Sequence, residues 1–365
     1  MKKYFTILAT IIALIGFNAY AEQTIKAVGL AADKAGAELK PYEFTLPKVG
    51  NHDLLLDILY GGVCHSDIHV VDEAYGPAVE FPYVPGHEIV GRVKQIGAHV
   101  TKFKVGDIIG VGSMNGSCGK CEFCKKGLEQ HCTKGASWTG GGYADKMVIG
   151  EHWAVAIPKE IPTETAAPLM CAGITVYSPI QKMDIQKGDK VAVAGMGGLG
   201  HLAVKYLASM GADVTVFEIT DDKAETARKM GVKEYINVAK DKDAYDKHIG
   251  EFKGVLDTVP YKHEIQPYLN VLKPMGTLAI VGMPPAKDSV VSFDIIPFGS
   301  DGKKILGSSV GGMAETEEMV KYSAEHNIFP EVVVISADQI NEAFEHVSKG
   351  EVQFRYVIDS STIKK

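Results

Sequence analysis

Lys190-Val191-Ala192-Val193-Ala194 runs directly into Gly195-Met196-Gly197-Gly198-Leu199-Gly200, and the chain continues as His201 to Met210. The first five residues read as a buried β-strand. Leu202, Val204, Lys205, Tyr206 and Leu207 then recur at helical spacing. A lone G-x-G-x-x-G carries little weight, but one set between a strand and a helix is specific for a dinucleotide turn. Gly195 permits the tight turn, Gly197 lets the backbone approach a pyrophosphate, and Gly200 lets the helix pack on the strand. The helix N-terminus offers free N–H groups and a partial positive charge to the phosphates. Asp213 to Glu218 is the next strand, and Glu218 follows Gly200 by 18 residues. An acid there accepts from the adenosine ribose and repels a 2′-phosphate, which favours NAD over NADP.

Working outward, Tyr235 to Val238, Gly254 to Val259, Thr277 to Val281 and Lys304 to Leu306 read as further strands. Helical stretches such as Asp222 to Met230 lie between them. This alternation predicts a doubly wound parallel sheet, spanning residues 176–311. Residues 22–175 have a different texture: short strands punctuated by Gly, Pro and Asp, the pattern of a compact β-rich domain. From residue 312 to 365 the chain has one helix, Glu315 to His326, and short strands. Val357 to Asp359 is expected to return to the first domain. The fold class is α/β, a β-rich domain joined to a doubly wound nucleotide-binding domain.

Cys118-Gly-Lys-Cys121-Glu-Phe-Cys124 and Cys132 put four thiols within fifteen residues. Two-residue gaps let loops turn their side chains onto one point. A structural Zn²⁺ takes four such donors at about 2.3 Å. The competing reading is a pair of disulfides. It gains some force from the N-terminus, where Lys2 and Lys3 precede an apolar run from Tyr4 to Phe17 and a small-x-small site at Ala19-Tyr20-Ala21. That is the layout of a secretory signal peptide over residues 1–21, too short to be read as a membrane span. It predicts a secreted or periplasmic mature chain beginning at Glu22. A cytoplasmic location is expected if the segment is not used. Oxidising compartments favour disulfides, yet a chain of this length builds its own core and needs no staples. The formal net charge is −7 and becomes more negative without Lys2 and Lys3. Mild acidity spread along the chain argues against a nucleic-acid surface.

Cys64 and Cys171 lie far from the lobe, and His87 sits between them in a Gly-His-Glu turn. Two Cys and one His form one known catalytic zinc set, with the fourth position open. Glu88 adjoins His87 and could support the metal or join it. Taken singly, Cys171 reads as a small buried hydrophobe, the commoner fate of a free Cys, and His87 as a turn histidine.

Taken together, Gly62-Val-Cys-His-Ser-Asp-Ile-His69, Pro85-Gly-His-Glu-Ile-Val-Gly91, the four-Cys lobe, Cys171-Ala-Gly-Ile-Thr-Val-Tyr-Ser-Pro179 and the Gly195 to His201 turn resemble the zinc-containing medium-chain dehydrogenase/reductase superfamily. More narrowly, they resemble its cinnamyl alcohol dehydrogenase branch. The resemblance spans about Ile25 to Asp359. It implies a GroES-like β domain plus a Rossmann domain, commonly as a homodimer, with two Zn²⁺ per chain. It implies Cys64, His87 and Cys171 as catalytic zinc ligands with Glu88 beside them, and Cys118, Cys121, Cys124 and Cys132 around a structural zinc. Ser66 would contact the substrate oxygen and pass its proton through the cofactor ribose to His69, with Asp67 supporting the site. Cofactor contacts fall to Gly195, Gly197, Gly198, Gly200, Glu218 and Thr175. Two features depart from the branch. Glu218 stands where relatives, which mostly use NADP, carry small hydroxyl residues, and the Cys132 to Gly142 segment beside the active site is short.

The expected activity is hydride transfer between a nicotinamide cofactor and a small primary alcohol or aldehyde. A polyol dehydrogenase-like zinc reductase, a non-catalytic zinc-binding envelope protein on the same fold and a disulfide-stabilised structural protein are the alternatives.

Overall fold

The structure, a computed structural model, describes residues 24–364, and elements are counted within that span. The signal-peptide segment and the Ala19-Tyr20-Ala21 site lie outside the described residues. No helix among those residues is long and apolar enough to cross a membrane.

The first domain opens with an antiparallel pair, β1 (Ile25–Ala31) and β2 (Lys40–Leu46). Its main sheet is built on β3 (Asp53–Gly62), β4 (Ile89–Ile96) and β5 (Ile108–Val111). β6 (Met114–Gly116) and β7 (Ser137–Trp138) form a small ribbon on either side of the cysteine lobe. β8 (Lys146–Gly150) pairs with β3, and β9 (Ala154–Ala156) pairs with β5. Leu54, Leu56, Ile58, Ile89, Val93 and Ile109 are buried between these strands and the surrounding loops.

The second domain is a six-stranded sheet: β10 (Lys190–Ala194), β11 (Asp213–Glu218), β12 (Glu234–Asn237), β13 (Phe252–Asp257), β14 (Leu272–Ile280) and β15 (Lys304–Gly307). Every pairing in it is parallel, in the order β12-β11-β10-β13-β14-β15. Val191 to Ala194 are buried on both faces, which is why they read as an unbroken apolar run. The strand order reverses direction at β10. In open α/β sheets the ligand crevice lies beyond the carboxyl ends of the strands at such a point. Gly195 is the first residue past that end.

The chain then returns. β16 (Val332–Ile335) pairs parallel with β17 (Arg355–Asp359), and β17 pairs antiparallel with β3. The last strand of the chain thus lies beside the strand that leads into Cys64.

One local expectation changes. Ala172 to Ile180 reads as a plain helix, but Leu169–Gly173 forms a π-turn between helices Thr163–Pro168 and Ile174–Lys182. Pro168 has no N–H to give to the helical ladder, and the wider turn re-aims the side chain of Cys171.

Candidate active site

β3 ends at Gly61-Gly62, and the chain turns through Val63 into the helix His65–Val71. Cys64 caps that helix. Its backbone N–H donates to Asp67 Oδ2 at 3.2 Å, which holds the Cys64 thiol in place at the helix start. Gly62 is required by its neighbour, because a Cβ there would collide with the Glu88 carboxylate. Gly86 turns the chain with φ +104°, a conformation that favours glycine, and His87 follows.

Asp67 is buried at 3% exposure and accepts four hydrogen bonds. They come from Cys64 N, Gly86 N at 3.0 Å, Tyr143 Oη at 2.7 Å and His87 Nδ1 at 2.8 Å. The last bond leaves His87 Nε2 facing Cys171 Sγ at 3.3 Å. Ligand atoms of Cys64, His87, Glu88 and Cys171 lie within 4.8 Å of one another, all four residues buried. The Cys64 thiol is held well below its ordinary pKa by a hydrogen bond from Cys171, with the charges of His87 and Arg355 adding, while burial opposes them. Glu88 is fully buried. Arg355 pairs with its Oε1, while its Oε2 has no partner. Burial pushes this carboxyl up to about 7 despite Arg355. Two sulfurs and an imidazole nitrogen fit a divalent, thiophilic cation with the fourth position left open, and the unpartnered Glu88 oxygen lies beside them.

The lobe is a separate cluster. Cys118, Cys121, Cys124 and Cys132 also converge within 4.8 Å. Cys118 Sγ and Cys124 Sγ are 3.9 Å apart, and Cys121 Sγ and Cys124 Sγ are 3.4 Å apart. A disulfide needs about 2.05 Å. The edge of a Zn–S tetrahedron is about 3.8 Å. The sulfurs are therefore spaced for a closed metal site, not for a knot of disulfides. No fourth position is open there, so the lobe suits structure and not chemistry.

A cavity of about 1300 Å³ connects the first cluster to the second domain. Cys64, Ser66, His87 and Cys171 stand at one end, and Gly195 to Leu199 and Glu218 at the other, with Thr175 between the two groups in sequence. The three glycine roles are visible. Gly195 has φ +85°, a Cβ on Gly197 would meet nothing within 4 Å, and one on Gly200 would collide with the Gly195 carbonyl. Gly198 is overlaid by Arg355, whose Nη1 would stand 2.9 Å from a Cβ placed there. Glu218 accepts from Met196 N and from Ile219 N, both at 2.7 Å, which holds its carboxylate against the Gly-rich turn. The cavity thus joins a metal-ligand cluster to a dinucleotide cradle. Trp138, Thr139 and Gly140, from the short segment after Cys132, line the same cavity.

Of the residues expected to carry the proton, His69 has surroundings that differ most from the expectation. Its Nδ1 lies 2.7 Å from Tyr75 Oη, and its ring stands 4.5 Å from that of His65. Burial holds it below the usual histidine range. Three residues that matter here escape the sequence reading. Arg355 left one trace, a lone charge in the apolar strand Phe354-Arg-Tyr-Val-Ile358. Tyr143 and Tyr75 left none, since neither has any local pattern to mark it.

Two family models match the chain: the alcohol dehydrogenase GroES-like domain over residues 50–159, and the zinc-binding dehydrogenase model over residues 198–325. The 8-hydroxygeraniol dehydrogenase of Catharanthus roseus is 41% identical, with 94% of this chain and 98% of that protein covered. Cinnamyl alcohol dehydrogenase 2 of Rauvolfia serpentina is 39% identical at the same coverage. Among solved structures, the CAD of Helicobacter pylori complexed with NADP(H) superposes with a TM-score of 0.87 at 39% identity, covering 93% of this chain and 99% of that one. The chain belongs to the zinc-containing medium-chain alcohol dehydrogenases, in the cinnamyl alcohol dehydrogenase-like branch. Its chemistry is hydride transfer between a nicotinamide cofactor and a small alcohol or aldehyde, with zinc as the metal.

Proposed function

We propose that this chain interconverts primary alcohols and aldehydes with NAD, using Cys64, His87 and Cys171 as ligands of a catalytic zinc. Cys118, Cys121, Cys124 and Cys132 hold a second, structural zinc. The observation that carries the reading is the one cavity that reaches both the Cys64–His87–Cys171 cluster and the Gly195–Gly200 turn. When bound, the metal supplies a Lewis acid for the substrate oxygen, and the nicotinamide supplies the hydride chemistry. The chain's own part is positioning and proton transfer. Asp67 sets the His87 tautomer, Ser66 takes the substrate hydroxyl proton, and His69 receives it. Glu88 and Arg355 compensate each other's charge behind the cluster. Gly195, Gly197, Gly198, Gly200 and Thr175 seat the cofactor.

The substrate end of the cavity carries Val70, Ala78, Val79, Tyr83 and Trp138. That lining is largely apolar and aromatic, which favours apolar primary alcohols over polyols. NAD preference rests on the Glu218 carboxylate, whose charge opposes a 2′-phosphate. The NADP reading has Lys223 on the same cavity wall and the NADP(H) complex of the Helicobacter pylori relative in its favour.

A homodimer is supported by the open edge of β15. Val290, Ile295 and Ile296 are exposed in the segment that precedes it, at 84%, 65% and 76%. An unpaired parallel edge beside apolar side chains is a surface that a second copy covers. Export rests on residues 1–21 alone and predicts that the mature protein begins at Glu22.

The deciding experiment purifies the protein, counts zinc, and assays a panel of aliphatic, aromatic and polyol substrates with NADH and NADPH. The expected result is two zinc ions per chain and turnover of apolar aldehydes with NADH. Zinc without turnover on any substrate would reject the enzyme reading, and a preference for NADPH would reject the Glu218 argument. Light scattering reads the mass, and N-terminal sequencing reads the start of the mature chain.

A further inference from the structure

Glu129 belongs to the cysteine lobe, between Cys124 and Cys132 in the run Gly127-Leu-Glu-Gln-His-Cys132. Its backbone is bound into the lobe. Cys132 N donates to Glu129 O at 3.0 Å, and Gly127 N donates to Cys124 O at 3.1 Å. Its side chain reaches out of the lobe. The residue is 4% exposed, and its Oε2 accepts from Met313 N at 3.1 Å. Oε1 faces His152 Nε2 at 3.4 Å. Met313 is the first residue of the helix Met313–His326, and the first N–H groups of a helix have no partner inside it. A carboxylate there satisfies one of them and complements the positive end of the helix dipole. The bond also crosses between domains, because this helix follows β15, which completes the parallel sheet.

Ser309-Val310-Gly311-Gly312 leads from that strand to the helix, and Ser309 and Val310 line the large cavity. The two glycines leave no slack. A Cβ on Gly312 would collide with the Gly127 carbonyl and stand 2.7 Å from Glu129 Oε2, and one on Gly311 would stand 2.5 Å from Ile174 Cδ1. Both polar backbone groups of Gly312 are taken. Its N–H donates to Glu315 Oε2 at 3.2 Å, and its carbonyl accepts from Thr316 N at 2.9 Å and from Thr316 Oγ1 at 2.8 Å. The lobe, the helix start and this stretch of cavity wall therefore form one packed unit.

We propose that Glu129 is a positioning residue for the cofactor: by tying the helix start to the cysteine lobe, it fixes the Ser309–Val310 wall of the cavity. The inference rests on the reading of that cavity as the nicotinamide cofactor's site, and it gives the lobe a task besides stability. Without the carboxylate, the Met313 N–H is a buried donor with no acceptor, which is costly. It regains one only by admitting water or by shifting the turn, and Gly311 and Gly312 have no side chains to oppose a shift. Val310 and Ser309 stand three and four residues before Met313 and shift with it. Cys64, His87 and Cys171 stand on other elements, so the metal cluster keeps its geometry. Loss of the Glu129 carboxylate is therefore felt as weaker cofactor binding and not as slower chemistry.

The test compares Glu129→Ala, Glu129→Leu and Glu129→Gln in the zinc-loaded enzyme. Ala and Leu lack an acceptor, and Leu fills the space so that a folded variant is in hand. Gln keeps an oxygen for Met313 N. Dissociation constants for NADH and NADPH are read without turnover, from quenching of tryptophan fluorescence, since Trp138 lines the same cavity. Steady-state constants, zinc content and the thermal midpoint are measured beside them. For Ala and Leu, the dissociation constant and KM of the preferred cofactor are expected to rise about tenfold, the scale of one lost buried hydrogen bond. KM for the alcohol, kcat at saturating cofactor and the zinc count should hold. Gln should restore cofactor affinity. A lowered thermal midpoint with unchanged cofactor affinity would make Glu129 a helix cap alone and overturn the proposal. Equal losses in Gln and Leu would place the effect in the charge and not in the Met313 bond, which also overturns it, as would loss of a zinc ion from Ala or Leu. If the natural protein bound neither cofactor, the reading of the cavity itself would fall, and the proposal with it.

Discussion

His87 donates its Nδ1–H to Asp67 Oδ1 across 2.8 Å, and this bond turns Nε2 toward Cys171. Asp67 lies three residues after Cys64, on the helix that Cys64 caps. One carboxylate therefore holds two elements of the metal cluster in register. Carboxylate–histidine–metal arrangements of this kind raise ligand basicity and hold the ring in orientation.

All four partners of Asp67 are donors. In Asp67→Asn the amide NH₂ must face at least one of them, and the negative charge is gone. Affinity for the catalytic zinc is expected to fall about 10- to 100-fold. Competition with a chromophoric chelator measures it. Unchanged affinity would mean that Asp67 serves the helix cap alone.

The two cysteine clusters should separate in a zinc count. His87→Ala is expected to lower zinc from two to one per chain and to abolish turnover, because the described residues hold two separate groups of metal-ligating side chains. Cys121→Ser should also lose one zinc, but with a lowered thermal midpoint as the main effect, since closed Cys₄ sites contribute folding energy. Loss of both ions from either variant would show the sites to be coupled.

Glu218 bears on cofactor choice through a charge held against the Gly-rich turn by two backbone N–H groups. Glu218→Ser removes that charge and leaves Lys223 on the cavity wall. The ratio of kcat/KM for NADP over NAD is expected to rise by at least about tenfold, equivalent to ~1.4 kcal/mol. A ratio that does not move would assign Glu218 to the turn and not to specificity.

His201 offers a pH prediction away from both metal clusters. It is fully buried, with Nδ1 3.2 Å from the Gly197 carbonyl and Nε2 accepting from Glu331 N at 3.2 Å. Burial, with Lys205 adding, lowers it to about 3. The folded pKa lies below the unfolded value, so the unfolded chain binds more protons between them. The stability this neutral ring contributes is present above about pH 6.5 and is lost as pH falls toward 3. Within that window the loss is about 1.4 kcal/mol per pH unit. Urea unfolding from pH 7 to 5 should be less steep in His201→Gln than in the natural protein. Parallel slopes would count against it.

The nucleotide domain was legible because its information is local. A buried strand, three glycines and a helix follow one another within about twenty residues, and each glycine answers a steric demand of its own neighbours. The cysteine lobe was legible for the same reason. The ligand set expected for catalysis was harder. Cys64, His87 and Cys171 are separated by loops and strands, and their assignment as one set came from the resemblance. The π-turn that aims Cys171 had no readable signal, since a residue after Pro168 reads equally well as ordinary helix.

With the set Cys64, His87 and Cys171 taken from the resemblance as expected ligands, the sequence by itself determined the parallel sheet, the phosphate turn and the four-thiol lobe. These depend on residue type, on spacing and on motifs carried whole within short segments. Only the tertiary structure decided which groups surround those ligands. Arg355 reaches Glu88 because β17 pairs with β3, joining residues far apart in the chain. Tyr143 reaches Asp67 across the first domain, and Tyr75 reaches His69 because a turn doubles back and is held from the other domain. Such contacts depend on strand pairing and domain packing, and neither leaves a periodicity in the sequence to read.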